Sequence, residues 1–175
     1  MLEDDLKKSG FRCRMCAKCC SGPDNEVMVS PDEIDVLCRA SGLAFSEIAG
    51  PYPEWLPKKG GRFTLGWVLR RGKDGNCMFL ENGRCRYYQV RPHICRTYPF
   101  MLNEGKLLIS ECDGICEANA PLSDGEAKEL ARALRDREAA EAAEAQATAV
   151  QYQKNSNITG TTIIYDSRGA HIIND

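Results

Sequence analysis

Four cysteines fall within eight residues, Cys13-Arg-Met-Cys16-Ala-Lys-Cys19-Cys20, and six more follow at positions 38, 77, 85, 95, 112 and 116. No other feature of the chain narrows its folding so far. Sulfurs this close along the backbone make poor disulfide partners for one another, yet they converge readily on a shared metal. In an oxidising compartment ten cysteines imply five disulfides; in a reducing cytosol the same count implies metal. The leading segment, MLEDDLKKSG, is acidic and lacks the apolar stretch of a secretory signal. The expectation is therefore a cytoplasmic metal–thiolate protein. Dithiol redox chemistry is the weaker alternative, because no thioredoxin-like βαβ frame surrounds the CxxC units.

A tetrahedral thiolate site needs sulfurs ~2.3 Å from the metal, and a C-x2-C turn points two of them at one centre. That unit occurs here twice with a shared middle, Cys13/Cys16 and Cys16/Cys19. The run is similar to the C-x2-C-x2-C stretch of bacterial ferredoxins, whose next cysteine serves a different cluster. Cys19 and Cys20 are adjacent, and adjacent side chains usually diverge. One of them is expected to serve a second centre, or the site to be polynuclear. Cys77, Cys85, Cys95 and Cys112 lie in or beside turns, where ligands can be presented. With Cys13, Cys16, Cys19 and Cys20 they make eight expected ligands, enough for two four-thiolate centres or one larger one. Cys38 falls on the apolar face of an expected helix and reads as core. Cys116 has ligand spacing from Cys112 yet would be a ninth thiol. His93 reads as a neighbour of the site more than as a ligand, and His171 as an ordinary strand residue.

All ten cysteines precede residue 117. Residues 1–120 carry 17 Lys+Arg and 16 Asp+Glu, whereas 121–175 carry 6 and 9. A cysteine-bearing domain over 1–120 and an extension over 121–175 follow from that break. Ser30-Pro31-Asp32-Glu33 is a capping box with proline at the first helical position, opening a helix that ends near Ser41-Gly42. A helical turn is expected around Ala44–Ile48, then a Pro/Gly-broken loop to Gly61. Arg62–Arg70 reads as one strand, Asn82-Gly83 as a tight turn, and 100–109 as a hairpin. A second capping box at Ser123-Asp-Gly-Glu126 opens an Ala/Glu/Arg-rich helix to about Gln153, with a sparse stripe of Leu130, Ala133, Leu134 and Ala140. Residues 161–173 read as a β-hairpin. The expected class is α+β: a small metal-stapled body of short strands and one or two helices, plus a C-terminal helix and hairpin.

Longer elements around the cysteines carry a family resemblance. Cys13–Cys20, Cys77-Met-Phe-Leu80, Gly83-Arg-Cys85-Arg-Tyr-Tyr88, the stretch from Arg91 to Phe100 (RPHICRTYPF) and Cys112-Asp-Gly-Ile115 together resemble the YkgJ-like cysteine-cluster proteins, the CxxCxxCC group. The resemblance covers roughly residues 12–117 and implies zinc or iron chelation without deciding between them. The flagellin lysine N-methylase group carries a similar motif, so the resemblance also admits a metal-dependent enzyme related to protein lysine N-methylases. The C-terminal extension lies outside it.

Four thiolates suit zinc and iron–sulfur alike. The clustered run favours an iron–sulfur cluster, possible as 4Fe-4S, because structural zinc sites more often pair C-x2-C knuckles a dozen or more residues apart. The function expected is electron transfer or cluster handling with a protein partner; a zinc-stapled interaction module is the alternative. No P-loop, GxGxxG, HExxH or catalytic triad order is present. Arg12, Arg14 and Lys18, then Arg84, Arg86, Arg91 and Arg96, flank the expected ligands with no acid among them, which favours thiolate. Tyr98-Pro99-Phe100 is expected to pack over the site. The net charge of -2 argues against a nucleic-acid binder, and no apolar run approaches the ~20 residues of a membrane span.

Overall fold

The computed structural model describes residues 1–22, 25–116 and 119–173. In chain order these form helix α1 (Leu2–Lys8), β1 (Met28–Val29), α2 (Pro31–Ser41), α3 (Phe45–Ile48), β2 (Ala49–Pro51), β3 (Leu56–Lys58), β4 (Gly61–Leu65) and β5 (Trp67–Leu69). Then come β6 (Leu80–Glu81), β7 (Arg84–Cys85), α4 (His93–Thr97), β8 (Phe100–Asn103), β9 (Lys106–Ile109), α5 (Asp124–Lys154), β10 (Thr162–Asp166) and β11 (Gly169–Ile173). The class is the expected α+β, ending in a helix and a hairpin.

The two long helices start where their caps place them. The Ser30 side chain accepts from Glu33 N while Glu33 Oε2 accepts from Ser30 N at 2.9 Å, and Ser123 and Glu126 repeat the arrangement for α5. Reciprocal capping satisfies backbone donors that have no partner within the helix. Of the expected α5 stripe only Leu134 is fully buried, with Leu130 and Ala133 partly buried and Ala140 exposed; the docked face is instead Ala127, Ala131 and Leu134, packed against Leu6 of α1 and Phe100 and Leu102 of β8. Burying a side chain such as Leu134 or Leu6 contributes roughly 1.5–3 kcal/mol.

Among the described residues, strands form two small sheets, ordered β1-β5-β2 and β11-β10-β4-β3, and two separate hairpins, β6-β7 and β8-β9. The strand expected over 62–70 is two strands in different sheets. Gly66 breaks it at φ +82°, a left-handed conformation open to glycine. Its N–H donates to Tyr165 O at 2.8 Å, so the break is held by the C-terminal strand. Strand β10 lies parallel to β4, with Ile163 opposite Phe63. The stretch expected as a loop also contributes β2 and β3. Helices α1 and α4 lack strong sequence signals: one is two turns long, the other five residues following Pro92.

Three modest clusters make the core. One joins Ile34, Leu37, Ile48, Trp67, Leu69 and Phe79, with Cys38, Cys77, Cys85 and Cys95 at its margin. Another links α1, β8 and α5, and the last packs Phe63, Ile163 and Tyr165 under Tyr152. Among the described residues no helix is long and apolar enough to cross a membrane.

Candidate metal centre

Two segments far apart in sequence strap together to build the thiol site. Arg12 N donates to Gly114 O at 2.8 Å, Cys116 N to Gly10 O at 3.2 Å, and Phe11 bridges Ile115. Gly114 permits this approach, because a Cβ there would lie 2.5 Å from Arg12 O. The strap sets Cys112 beside the Cys13 loop. Within that loop Met15 and Ala17 hold left-handed φ values of 52° and 58°, conformations that cost a non-glycine residue free energy. Ala17 then caps the short 3-10 turn Lys18–Cys20. A second tie joins the turn to the body, where Cys77 N donates to Cys20 O at 2.7 Å.

The result is a cavity of about 490 Å³ lined by Cys13, Cys16, Cys19, Cys20, Cys85, Cys95 and Cys112. Cys77, the eighth expected ligand, is not in that wall; its backbone is bonded to that of Cys20. All ten thiols are free, and Cys13, Cys16 and Cys19 are exposed. The eight sort into two neighbourhoods. Burial pushes the Cys112 thiol above its ordinary pKa, and the nearby Cys16, Cys13 and Cys19 push the same way. Burial pushes Cys95 up to about 12, reinforced by Cys77, Cys19 and Cys85. Cys77 is likewise raised by burial, with Cys85 and Cys19 adding. Cys20 is raised first by the hydrogen bond it shares with Cys19, then by burial and by Cys19, Cys77 and Cys95. Cys13, Cys16 and Cys112 thus neighbour one another, Cys20, Cys77, Cys85 and Cys95 do likewise, and Cys19 neighbours both groups.

The sulfurs of Cys19 and Cys20 do not diverge as adjacent side chains usually do. They lie 3.9 Å apart at the junction of the two sets, and their shared hydrogen bond holds Cys19 below the usual thiol range. Backbone N–H groups already serve individual sulfurs, Gly114 N lying 3.4 Å from Cys112 Sγ. Such bonds favour thiolate.

The donor set fits a soft or borderline metal: thiol sulfur alone, partly shielded from water, with amide donors and cations nearby. Among the described residues no three His, Cys, Asp or Glu side chains converge closely enough to hold one ion. The thiols ring the cavity without meeting at a point.

Cys38 packs against the first core cluster and is absent from the cavity wall. Neither Cys116 nor His93 lines it. His93 instead opens α4, its N–H donating to Glu33 Oε1 at 2.8 Å. Tyr98, Pro99 and Phe100 do line the thiol cavity, with Tyr98 Oη donating to Glu111 O at 2.6 Å. Of the seven flanking cations, Arg14, Lys18, Arg84 and Arg91 line the cavity. Arg12 turns away to Glu126 and Pro121 O. Arg96 donates to Arg91 O, and Arg86 lies 3.9 Å from Glu81. Sequence reasoning missed Arg137, which reaches the cavity from α5. A signal existed, since Arg137 continues the buried spacing 127, 131, 134 and so places a charge on the docked face.

A family model described as a zinc- or iron-chelating domain, CxxCxxCC, matches residues 12–117. An uncharacterized protein of Methanocaldococcus jannaschii is 26% identical over 110 residues, covering 60% of this chain and 54% of its own length. The chain thus spans about half of that relative. No solved structure matches.

Proposed function

Because the chain belongs to the CxxCxxCC family of zinc- or iron-chelating domains, we propose that Cys13, Cys16, Cys19, Cys20, Cys77, Cys85, Cys95 and Cys112 hold iron–sulfur, and that the protein passes electrons or cluster to a protein partner in the cytoplasm. One observation carries this reading. Seven thiols line one cavity and the eighth, Cys77, is tied by its backbone to Cys20 at the edge; among the described residues no histidine is in that wall, and three of the thiols are exposed. A purely structural centre is closed off; an exposed lip gives a partner access. Bound iron–sulfur would supply one-electron chemistry. The chain's own part is to bring the thiols together, to lend amide donors such as Gly114 N, and to keep Arg14, Arg84 and Arg91 beside the thiolate charge. A reducing cytoplasm keeps ten thiols free.

Zinc is the second reading, favoured by the 3.9 Å between Cys19 and Cys20 sulfurs. A tetrahedral site with ~2.3 Å bonds has edges of roughly 3.8 Å, so both could bind one zinc ion. Metal and acid-labile sulfide content, measured with the visible spectrum on protein purified without oxygen, separates the two. Iron with matching sulfide and brown colour supports the proposal; zinc without sulfide refutes the redox reading and leaves a metal-stapled interaction module.

A further inference from the structure

A second, larger cavity of about 760 Å³ lies beyond the thiol site, between α5 and the strands around Gly66. Its cause is a shortage of side-chain volume. Ala145 and Ala149 line the α5 side with one carbon each, and Leu65 and Trp67 line the strand side. The volume falls within the ~300–1,000 Å³ of ordinary small-molecule sites. Its wall is mostly apolar, and Met28, Leu56 and Leu65, each more than 40% exposed, leave apolar surface open to water around it. Large exposed apolar surface set in a concavity marks a binding site more often than chance.

Charge in the wall selects the ligand. Three carboxylates line it, Glu33, Glu141 and Glu144, against one guanidinium, Arg137. Arg137 is already committed, with Nε on Glu141 at 2.6 Å and one terminal nitrogen shared between Thr97 Oγ1 and Phe100 O. Glu33 is committed too, accepting from His93 N on one oxygen and from Ser30 on the other. Glu144 accepts from Ser167 N and Thr148 Oγ1 on Oε1 alone, and among the described residues Oε2 receives no bond. An anion would meet net negative charge and no uncommitted cation. A neutral apolar molecule would strip water from Glu144 without replacing it, which is costly.

We propose that this cavity binds a small aliphatic amine, its chain against Leu65, Trp67 and Ala149 and its ammonium on Glu144. The site adjoins the metal region, because Ile94 and Arg137 line both cavities and Cys95 follows Ile94 on α4. That is the placement an enzyme would need for a substrate beside its metal, and the binding itself holds whichever metal the thiols take.

The test titrates full-chain protein, carrying its native metal, with octylammonium, octanol and octanoate by calorimetry. Octylammonium should bind with one-site stoichiometry, about tenfold tighter than octanol, the size of one charge-assisted bond, and octanoate weakest. Glu144→Gln keeps an oxygen acceptor for Ser167 N and should bring octylammonium down to the octanol level while octanol is unchanged. Ala149→Trp fills the cavity from an exposed helical position and should abolish binding of all three, with the folded circular dichroism spectrum retained. Equal affinity for the three probes, no saturable binding, or binding unaffected by Ala149→Trp would each overturn the proposal.

Discussion

Replacing Arg137 with alanine should loosen the joint between the C-terminal helix and the thiol-bearing body. Arg137 is 6% exposed, and its guanidinium donates to Thr97 Oγ1 at 3.1 Å and Phe100 O at 3.3 Å. Hydrogen bonds from a charged group contribute about 1.5 kcal/mol each at the low end. Losing the buried stem forfeits roughly 0.8 kcal/mol per methylene, while the freed rotamers return up to ~2 kcal/mol of entropy. The half-exposed pair with Glu141 adds at most ~0.5 kcal/mol. The net loss is about 3 kcal/mol, or a fall in Tm of roughly 6–12 °C for a chain this size. Thermal unfolding at fixed protein concentration and metal load measures it. Arg137→Met restores most of the stem without the donors. Should Met recover wild-type stability, or Ala cost less than ~1 kcal/mol, the polar bonds do not hold this joint and the reasoning fails.

Cys16→Ser should lower bound metal and lower stability together, since binding energy here doubles as folding energy; Cys38→Ser should leave metal content unchanged, and elemental analysis of both variants decides it. Glu126, its carboxylate held by Ser123 and Arg12, has a pKa lowered from 4.5 to about 2. Its contribution is therefore present above pH ~4.5 and lost as pH falls toward ~2. Acid unfolding of Glu126→Gln should be less steep across that window than wild type, and parallel curves would contradict this. Asp166 is 1% exposed and accepts from Trp67 Nε1 at 2.7 Å and from two backbone N–H groups. Asp166→Ala orphans these donors and should cost more than ~3 kcal/mol in denaturant unfolding.

What the sequence shows by itself is chiefly what short range decides. Ser30 and Glu33 are three residues apart and form their cap unaided; so do Ser123 and Glu126, and the 100–109 and 161–173 hairpins need only alternation and a turn. The ligand candidates were legible for a different reason: thiol chemistry restricts what a CxxCxxCC run can serve, and the cavity gathers seven of the eight expected cysteines. Long-range contacts decided the rest. Residues 62–70 carry one continuous strand pattern, and the break at Gly66 is held by bonds to Tyr52 and to Tyr165, the latter 99 positions beyond it. The two thiol neighbourhoods depend on Gly114 meeting Arg12 and on Cys77 meeting Cys20. Arg137 has its role because α5 docks on α4 and β8, and the second cavity exists because alanines on that helix face strands they are too short to reach. A chain read in order states which groups can bond to their neighbours; which distant groups share a space depends on packing, where a partner's sequence position carries no signal of its own.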